Sequence, residues 1–363
     1  KPLRMRYLLL FVLITLNVSV FSQKTIWDRV DTKVAAIPES AERSIPSLAV
    51  WIESNFTTET DRIRAIQRWI AMNLRYDFNM TIQRISKSEN AEIISSAFST
   101  RKAVCGGYAG LMDSLCRSMD IKSYIIDGYT IQDDHINPSP HAWVAAQIGG
   151  NWYLFDPTWS SGSLVNGTYE HVYDEQYFMV MPDKMILSHI PFDPIWQFLE
   201  VPVFQKKMIK AAQPRFSYAD SIQYHLQLNE KQKITDEIRR INQYMETNQA
   251  IAKRLSFLYE NLDVELYNEK VNLLNISVNL YNEAIGKWDS YIDFRNRNLD
   301  DIEKVRKKGY LLDEILALLE KTNAKLQLIH EVPTEMTRSV FDLRNSVRRL
   351  GIQIKEEKRL TRK

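Results

Sequence analysis

The sequence contains little cysteine, and this shortage limits the kinds of protein it can encode. Only Cys105 and Cys116 occur in 363 residues, which excludes a disulfide-built scaffold and a zinc site made of several cysteines. A surplus of one charge is also missing, because 47 Lys and Arg are matched by 45 Asp and Glu, a net charge of +2. Such a balance gives no strong basic field, so we expect no nucleic-acid partner.

Long apolar runs are also rare, and the most prominent one lies near the N-terminus. It covers residues 7–21, follows Lys1, Arg4 and Arg6, and is shorter than the roughly 20 residues that a membrane-spanning helix needs. A basic start and a short apolar stretch are typical of a signal peptide. We therefore expect residues 1–22 to be a signal peptide, the protein to be secreted or periplasmic, and no stable membrane span after cleavage. An uncleaved N-terminal anchor is the alternative.

Proline and glycine are scarce in the second half of the chain, which suggests two domains. Eleven of the 12 prolines lie at or before Pro214, and eight of the 11 glycines lie between Gly106 and Gly167. A turn-rich unit therefore precedes a helical one. We predict a first domain at 23–205 and, at 206–363, a helical bundle or coiled-coil domain.

Periodicity predicts the elements of the first domain. Residues 58–74 have apolar side chains at helical spacing, with Thr58 or Thr60 as cap. A second helix should begin at Cys105 and run to about residue 119. Gly149 and Gly150 form a hairpin signal between the last two of three predicted strands, at 123–129, 141–148 and 152–156.

Three residues in this region could together support nucleophilic catalysis. A cysteine thiol is mostly protonated at neutral pH, because its pKa is about 8.5. A helix start at Cys105 would favour the thiolate, and His141 could take its proton. Asp156 could then accept a hydrogen bond from the other imidazole nitrogen. The alternative is a buried thiol, a core histidine and a turn aspartate.

Strand register tests whether this triad can form. If Gly149-Gly150 is a two-residue loop, Ile148 pairs with Asn151, and His141 and Asp156 become diagonal neighbours about 7–8 Å apart at the backbone. A three-residue loop would place them on opposite faces. The register permits the triad without requiring it.

Stabilising the oxyanion of the reaction requires hydrogen-bond donors near Cys105. Its own backbone N–H is one candidate. Tyr76 or Trp69 could supply the second. Three glycines follow the nucleophile and should let substrate and neighbouring backbone approach closely: Gly106, Gly107 and Gly110.

Three sequence blocks carry a family resemblance. The segments RKAVCGGYA, HAWV and WYLFDPTW occur in this order and resemble the signature blocks of the transglutaminase-like superfamily. A further likeness, through EQYFMVMPDKMILSHIPFDPIWQFL, is to the kyphoscoliosis-peptidase-like branch. The resemblance covers about residues 45–200. One departure is Val144, where many relatives have Asn, so the resemblance implies no role for that position.

The resemblance implies a fold and a set of roles. The fold is α+β, a papain-like core with a helix-borne cysteine and an antiparallel sheet, followed here by an all-α domain. Cys105 would be the nucleophile, His141 the general base and Asp156 the residue that orients it. His189 is expected to pack or cap rather than to catalyse. No cofactor is implied, and we expect no catalytic metal because no pattern such as His-Glu-x-x-His occurs.

Two classes of function remain open at this stage. The first is an exported cysteine enzyme that acts on amide bonds of protein or peptide substrates through a thioester, with hydrolysis favoured over cross-linking because water always competes. The second is a non-catalytic binding or scaffold protein of the cell envelope. In either case, the C-terminal helices could bind an envelope protein.

Overall fold

The computed structural model describes residues 26–79, 90–165, 168–203, 217–297 and 302–360. The predicted signal peptide lies outside these residues. Two compact units can be distinguished, the first comprising residues up to 136 with 140–190, and the second comprising 137–139 with residues from 191 onward. The boundary that we predict at 205 remains a prediction, since it falls within residues 204–216, which are not described.

The first unit alternates helices with short strands. Its elements, in chain order, are α1 (Asp28–Val34), α2 (Ile45–Asn55), α3 (Glu59–Asn73), β1 (Arg75–Tyr76), α4 (Asn90–Thr100), β2 (Lys102–Ala103), α5 (Cys105–Arg117), β3 (Ser123–Gln132), β4 (His135–Ile148), β5 (Asn151–Phe155), β6 (Ser163–Val165), β7 (Thr168–Glu170), α6 (Pro182–Met185) and β8 (His189–Pro191). This is the predicted α+β class.

The helix predicted at 58–74 is confirmed as α3. The side chain of Thr58 accepts a hydrogen bond from the N–H of Asp61, so Thr58 rather than Thr60 is the N-cap. The apolar side chains of α3 are buried against α2 and α5 in a single core, which includes Leu48, Ile52, Ile66, Trp69, Leu111 and Leu115. This core fixes α5 and therefore the position of Cys105 at its start.

The main sheet has the strand order β5-β4-β3-β8. In the β4–β5 hairpin, Ile148 pairs with Asn151 and Val144 with Phe155, which confirms the predicted register. Gly149 and Gly150 have φ values of 56° and 85°, in the left-handed region that a tight two-residue loop requires. The register therefore follows from a turn that other residues would form only with strain.

Glycines in α5 serve helix packing. A Cβ on Gly107 would lie 2.6 Å from the Cβ of Ala103, and one on Gly110 would lie 2.8 Å from the side chain of Ile94. Gly107 therefore lets β2 approach α5, and Gly110 lets α4 approach it. The expectation that they open space for substrate is wrong for Gly107 and Gly110, because their open sides are filled by the protein itself.

From residue 217 onward, the described part of the second unit is helical. Its longer helices are α7 (Tyr218–Gln227), α8 (Glu230–Tyr244), α9 (Gln249–Arg297), α10 (Ile302–Gln327) and α11 (Thr337–Leu360). Helices α9, α10 and α11 share an apolar core that includes Tyr291, Leu312, Leu319, Val340 and Leu350. None of the helices within the described ranges is both long enough and apolar enough to cross a membrane.

Candidate active site

Cys105 lies at the start of α5, as predicted. The preceding residue, Val104, is extended and makes no side-chain cap. The first N–H groups of a helix have no intrahelical acceptor, and the helix dipole adds positive potential there. Cys105 therefore stands where free backbone N–H groups and the positive end of the helix dipole meet.

His141 and Asp156 come together through the hairpin. His141 lies in β4, and Asp156 directly follows β5. The Nε2 atom of His141 is 2.7 Å from Oδ2 of Asp156. Because an ionised carboxylate can only accept, Nε2 carries the proton. The Nδ1 atom of His141 is then left to interact with the thiol.

The thiol of Cys105 is near enough to the ring of His141 for its charge and hydrogen bonding to help raise the pKa of that ring. Burial disfavours a charged imidazole, but the negative charge and hydrogen bond of Asp156, together with Cys105, outweigh it and raise the pKa of His141 to about 10. An imidazolium is therefore the favoured form of His141 at neutral pH. The structure thus brings the three sequence-predicted residues together as a connected Cys–His–Asp chain.

Asp156 is fully buried, and both of its oxygens are hydrogen-bonded. Oδ1 accepts from the backbone N–H groups of Thr158 at 2.8 Å and Trp159 at 3.0 Å. Oδ2 accepts from His141 and, at 3.1 Å, from Nε2 of His189. Burial alone would raise the pKa of Asp156, but the charge and hydrogen bond of His141 and the hydrogen bond of His189 hold it well below its ordinary value. Asp156 is therefore an ionised carboxylate fixed on both sides.

His189 is a site residue that the sequence reasoning did not identify. It was expected to pack or cap, yet its ring bonds directly to Asp156. The only signal was its place in the family-like segment LSHIPFD. It reaches the site because β8 adds to the sheet beside β3, a pairing between distant parts of the chain that local sequence does not specify.

Aromatic rings surround the imidazoles. The ring centroid of Trp159 lies 5.5 Å from that of His141 and 4.6 Å from that of His189. Trp143 is fully buried beneath them. Trp152, which alternates with these residues in the sequence, instead stacks on Tyr124. Two of the three tryptophans in this stretch therefore contact the site, where they limit the access of water to the His–Asp pair.

Of the two predicted side-chain oxyanion donors, the geometry favours Tyr76. Its strand, β1, pairs with β2 so that Tyr76 is opposite Ala103, two residues before Cys105. Burial, followed by the charges of Cys105 and Asp156, raises the pKa of Tyr76 to about 12, so its hydroxyl keeps its proton. Trp69 is excluded because its fully buried indole N–H donates to Glu42 at 2.6 Å.

Cys116 is a core residue, as predicted. It is fully buried in α5, and neither cysteine forms a disulfide. Burial, reinforced by the nearby charge of Asp113, raises the pKa of the Cys116 thiol. The two cysteines therefore differ in chemistry, and only Cys105 contacts a base.

Among the described residues, one cluster of side chains could hold a metal ion, and it lies in this candidate active site. The ligand atoms of His141, Asp156 and His189 lie within 4.8 Å of one another. Sequence spacing gave no hint of this cluster, since its members come from separate strands. Hydrogen bonds between a carboxylate and two imidazole N–H groups account for their approach. The expectation that no metal takes part stays a prediction.

Comparison with known proteins gives a family match for this region. Residues 46–157 match the model of the transglutaminase-like superfamily core. The kyphoscoliosis peptidases of Homo sapiens and Mus musculus are each 31% identical over 153 residues, which are 40% of this chain and 23% of theirs. The match therefore spans about a quarter of the length of these curated relatives, and the resemblance predicted from the three sequence blocks is confirmed.

Solved structures show weaker likeness. A candidate cysteine protease from Cytophaga hutchinsonii has a TM-score of 0.27 and 29% identity, covering 32% of this chain and 37% of its own. The periplasmic domain of TgpA from Pseudomonas aeruginosa has a TM-score of 0.26 and 20% identity, covering 36% of this chain and 46% of its own. At such scores neither structure adds to the account of the site.

Proposed function

Because residues 46–157 are a transglutaminase-like domain, we propose that this chain is an exported cysteine hydrolase of amide bonds in proteins or peptides. One observation carries the proposal: the His141 ring is hydrogen-bonded at 2.7 Å to the buried Asp156 and interacts with the thiol of Cys105. This is the arrangement in which a thiol, a base and an orienting carboxylate act as a unit. The apolar run at residues 7–21 supports the proposed export.

The reaction begins with the Cys105 thiolate attacking the amide carbonyl carbon. The carbonyl oxygen becomes an oxyanion, which the Cys105 N–H and the Tyr76 hydroxyl stabilise. When the C–N bond breaks, the leaving amine takes a proton from the His141 imidazolium, and a thioester remains on Cys105. His141, now neutral, takes a proton from water, whose oxygen attacks the thioester and releases the acid and the thiolate. Asp156 keeps the imidazole oriented throughout and stays ionised.

Hydrolysis and cross-linking differ only in what attacks the thioester. The test is to incubate the protein with casein and dansylcadaverine, counting new peptide N-termini by mass spectrometry and incorporated amine by fluorescence. We expect new N-termini and little incorporated amine. Amine incorporation in excess of new N-termini would replace hydrolysis by transamidation, and neither product in a folded protein would favour the binding or scaffold alternative.

Tyr76 provides a test of the oxyanion step. Tyr76→Phe removes only the hydroxyl and should lower kcat by about 10²-fold, with KM little changed, as loss of one oxyanion donor does. The matched control is Trp69→Phe, which breaks the bond to Glu42 and should lower the melting temperature but not kcat. Steady-state kinetics on one cleaved peptide measures both variants. An unchanged kcat for Tyr76→Phe would remove Tyr76 from the mechanism.

A further inference from the structure

His189 is enclosed by the residues of the site. It is 1% exposed, and its ring lies 5.1 Å from that of Trp143 and 4.6 Å from that of Trp159. Both of its nitrogens are hydrogen-bonded: Nε2 to Asp156 at 3.1 Å and Nδ1 to the Ser188 hydroxyl at 2.8 Å. Two specific hydrogen bonds at a buried ring indicate a role for His189 beyond packing.

The two hydrogen-bond partners of His189 determine which of its ring nitrogens carries a proton. The carboxylate of Asp156 can only accept, so Nε2 of His189 donates. Nδ1 then accepts from the hydroxyl of Ser188 at 2.8 Å, which is closer than that hydroxyl's other acceptor, the carbonyl oxygen of Met185 at 3.4 Å, and the ring is neutral. Burial, opposed by the hydrogen bond and charge of Asp156, lowers the pKa of His189, and nearby His141 lowers it further. The positive charge of the site therefore belongs to His141 alone.

Two imidazoles thus share one carboxylate oxygen. Without His189, Asp156 would still be bonded through Oδ1 to the backbone of Thr158 and Trp159. Oδ2, however, would be bonded to His141 alone. His141 gains and loses its positive charge during a turnover as Nδ1 takes up and releases a proton, so the strength of its bond to Oδ2 changes. A second donor that does not titrate would hold Oδ2 in place at every step.

We propose that His189 is a positioning residue, a neutral hydrogen-bond donor that holds Oδ2 of Asp156 where it orients His141 toward Cys105. The proposal rests on the proposed function for its role in turnover. It extends the Cys–His–Asp chain by a fourth member, and Ser188 fixes the tautomer that this member needs. Among the described residues, Tyr177 is a further titratable group beside His189, with its ring 5.9 Å away.

The experiment compares two replacements of His189. Leucine is apolar and cannot donate, whereas the amide nitrogen of glutamine can occupy the place of Nε2. His189→Leu should lower the rate of Cys105 alkylation by iodoacetamide at about pH 6.5 roughly tenfold, since misplacement of a catalytic group by a fraction of an ångström has effects of this size. The same variant should also shift the acidic side of the pH profile of Cys105 alkylation to higher pH. His189→Gln should recover most of the wild-type rate.

A third variant, Ser188→Ala, keeps the proposal testable if a His189 variant does not fold. It leaves the imidazole in place but removes the hydroxyl that selects its tautomer, so alkylation should slow by about threefold with the melting temperature nearly unchanged. Equal rates in all variants, or equal losses in the leucine and glutamine variants, would overturn the proposal. Alkylation needs no substrate, so a failure here is distinguishable from a failure to hydrolyse amides.

Discussion

Substitution of alanine for Cys105 is expected to lower amide hydrolysis by a factor on the order of 10⁶, the size of effect that follows loss of the nucleophile in a hydrolase with a triad. No other described thiol can take its place: Cys105 is 2% exposed and interacts with His141, whereas Cys116 is fully buried and has its pKa raised by burial and by Asp113. The measurement is kcat on a cleaved peptide, with circular dichroism to show that the variant is folded. Substrate should still bind to the variant, so its binding affinity can be followed by competition.

Cys116→Ala is the matched control. It removes the other thiol of the same helix but leaves every member of the proposed site in place, so kcat should stay within about twofold while stability falls slightly. If Cys105→Ala retained more than a trace of activity, or if Cys116→Ala lost as much, the nucleophile would be wrongly assigned.

Asp156→Asn is expected to lower turnover by a factor on the order of 10²–10⁴, as in other triads. The four groups that bond to Asp156 are all donors, but asparagine has only one oxygen. The backbone N–H groups of Thr158 and Trp159 cannot change, so that oxygen should stay with them. The amide NH₂ then points at His141, whose Nε2 must give up its proton. The proton moves to Nδ1, which can no longer accept one from Cys105.

Asp113→Asn is a suitable comparison, because Asp113 is a buried carboxylate in α5, the helix that begins with Cys105. It accepts from Ser123 at 2.7 Å and pairs with Arg117 at 2.7 Å, away from the His–Asp pair. We expect a lower melting temperature and a normal kcat. If Asp156→Asn behaved in the same way, Asp156 would be only a turn residue.

The parts of the site that could be predicted from the sequence are those set by local signals. Gly149-Gly150 determines a two-residue loop, and the loop fixes the register that brings His141 to Asp156. The position of Cys105 at a helix start likewise followed from the pattern around it. In each case, a few neighbouring residues were sufficient.

The parts that could not be predicted depend on contacts between distant segments. His189 reaches Asp156 only because β8 joins the sheet beside β3. The use of Trp69 as a donor to Glu42 depends on how α3 packs, and the small size of Gly107 and Gly110 serves contacts with Ala103 and α4. No local pattern encodes these contacts.

The proposed thiolate–imidazolium pair of Cys105 and His141 can be tested by measuring the rate of Cys105 alkylation as a function of pH. Because the pKa of His141 is raised to about 10, its positive charge is present below that pH and is lost only as the pH rises through it. Iodoacetamide should therefore modify Cys105 rapidly between about pH 6 and 8, well before Cys116, when both peptides are followed by mass spectrometry. In His141→Ala the rate should rise only near about pH 8.5, as for an ordinary thiol. Superimposable profiles for the two folded proteins would contradict the account.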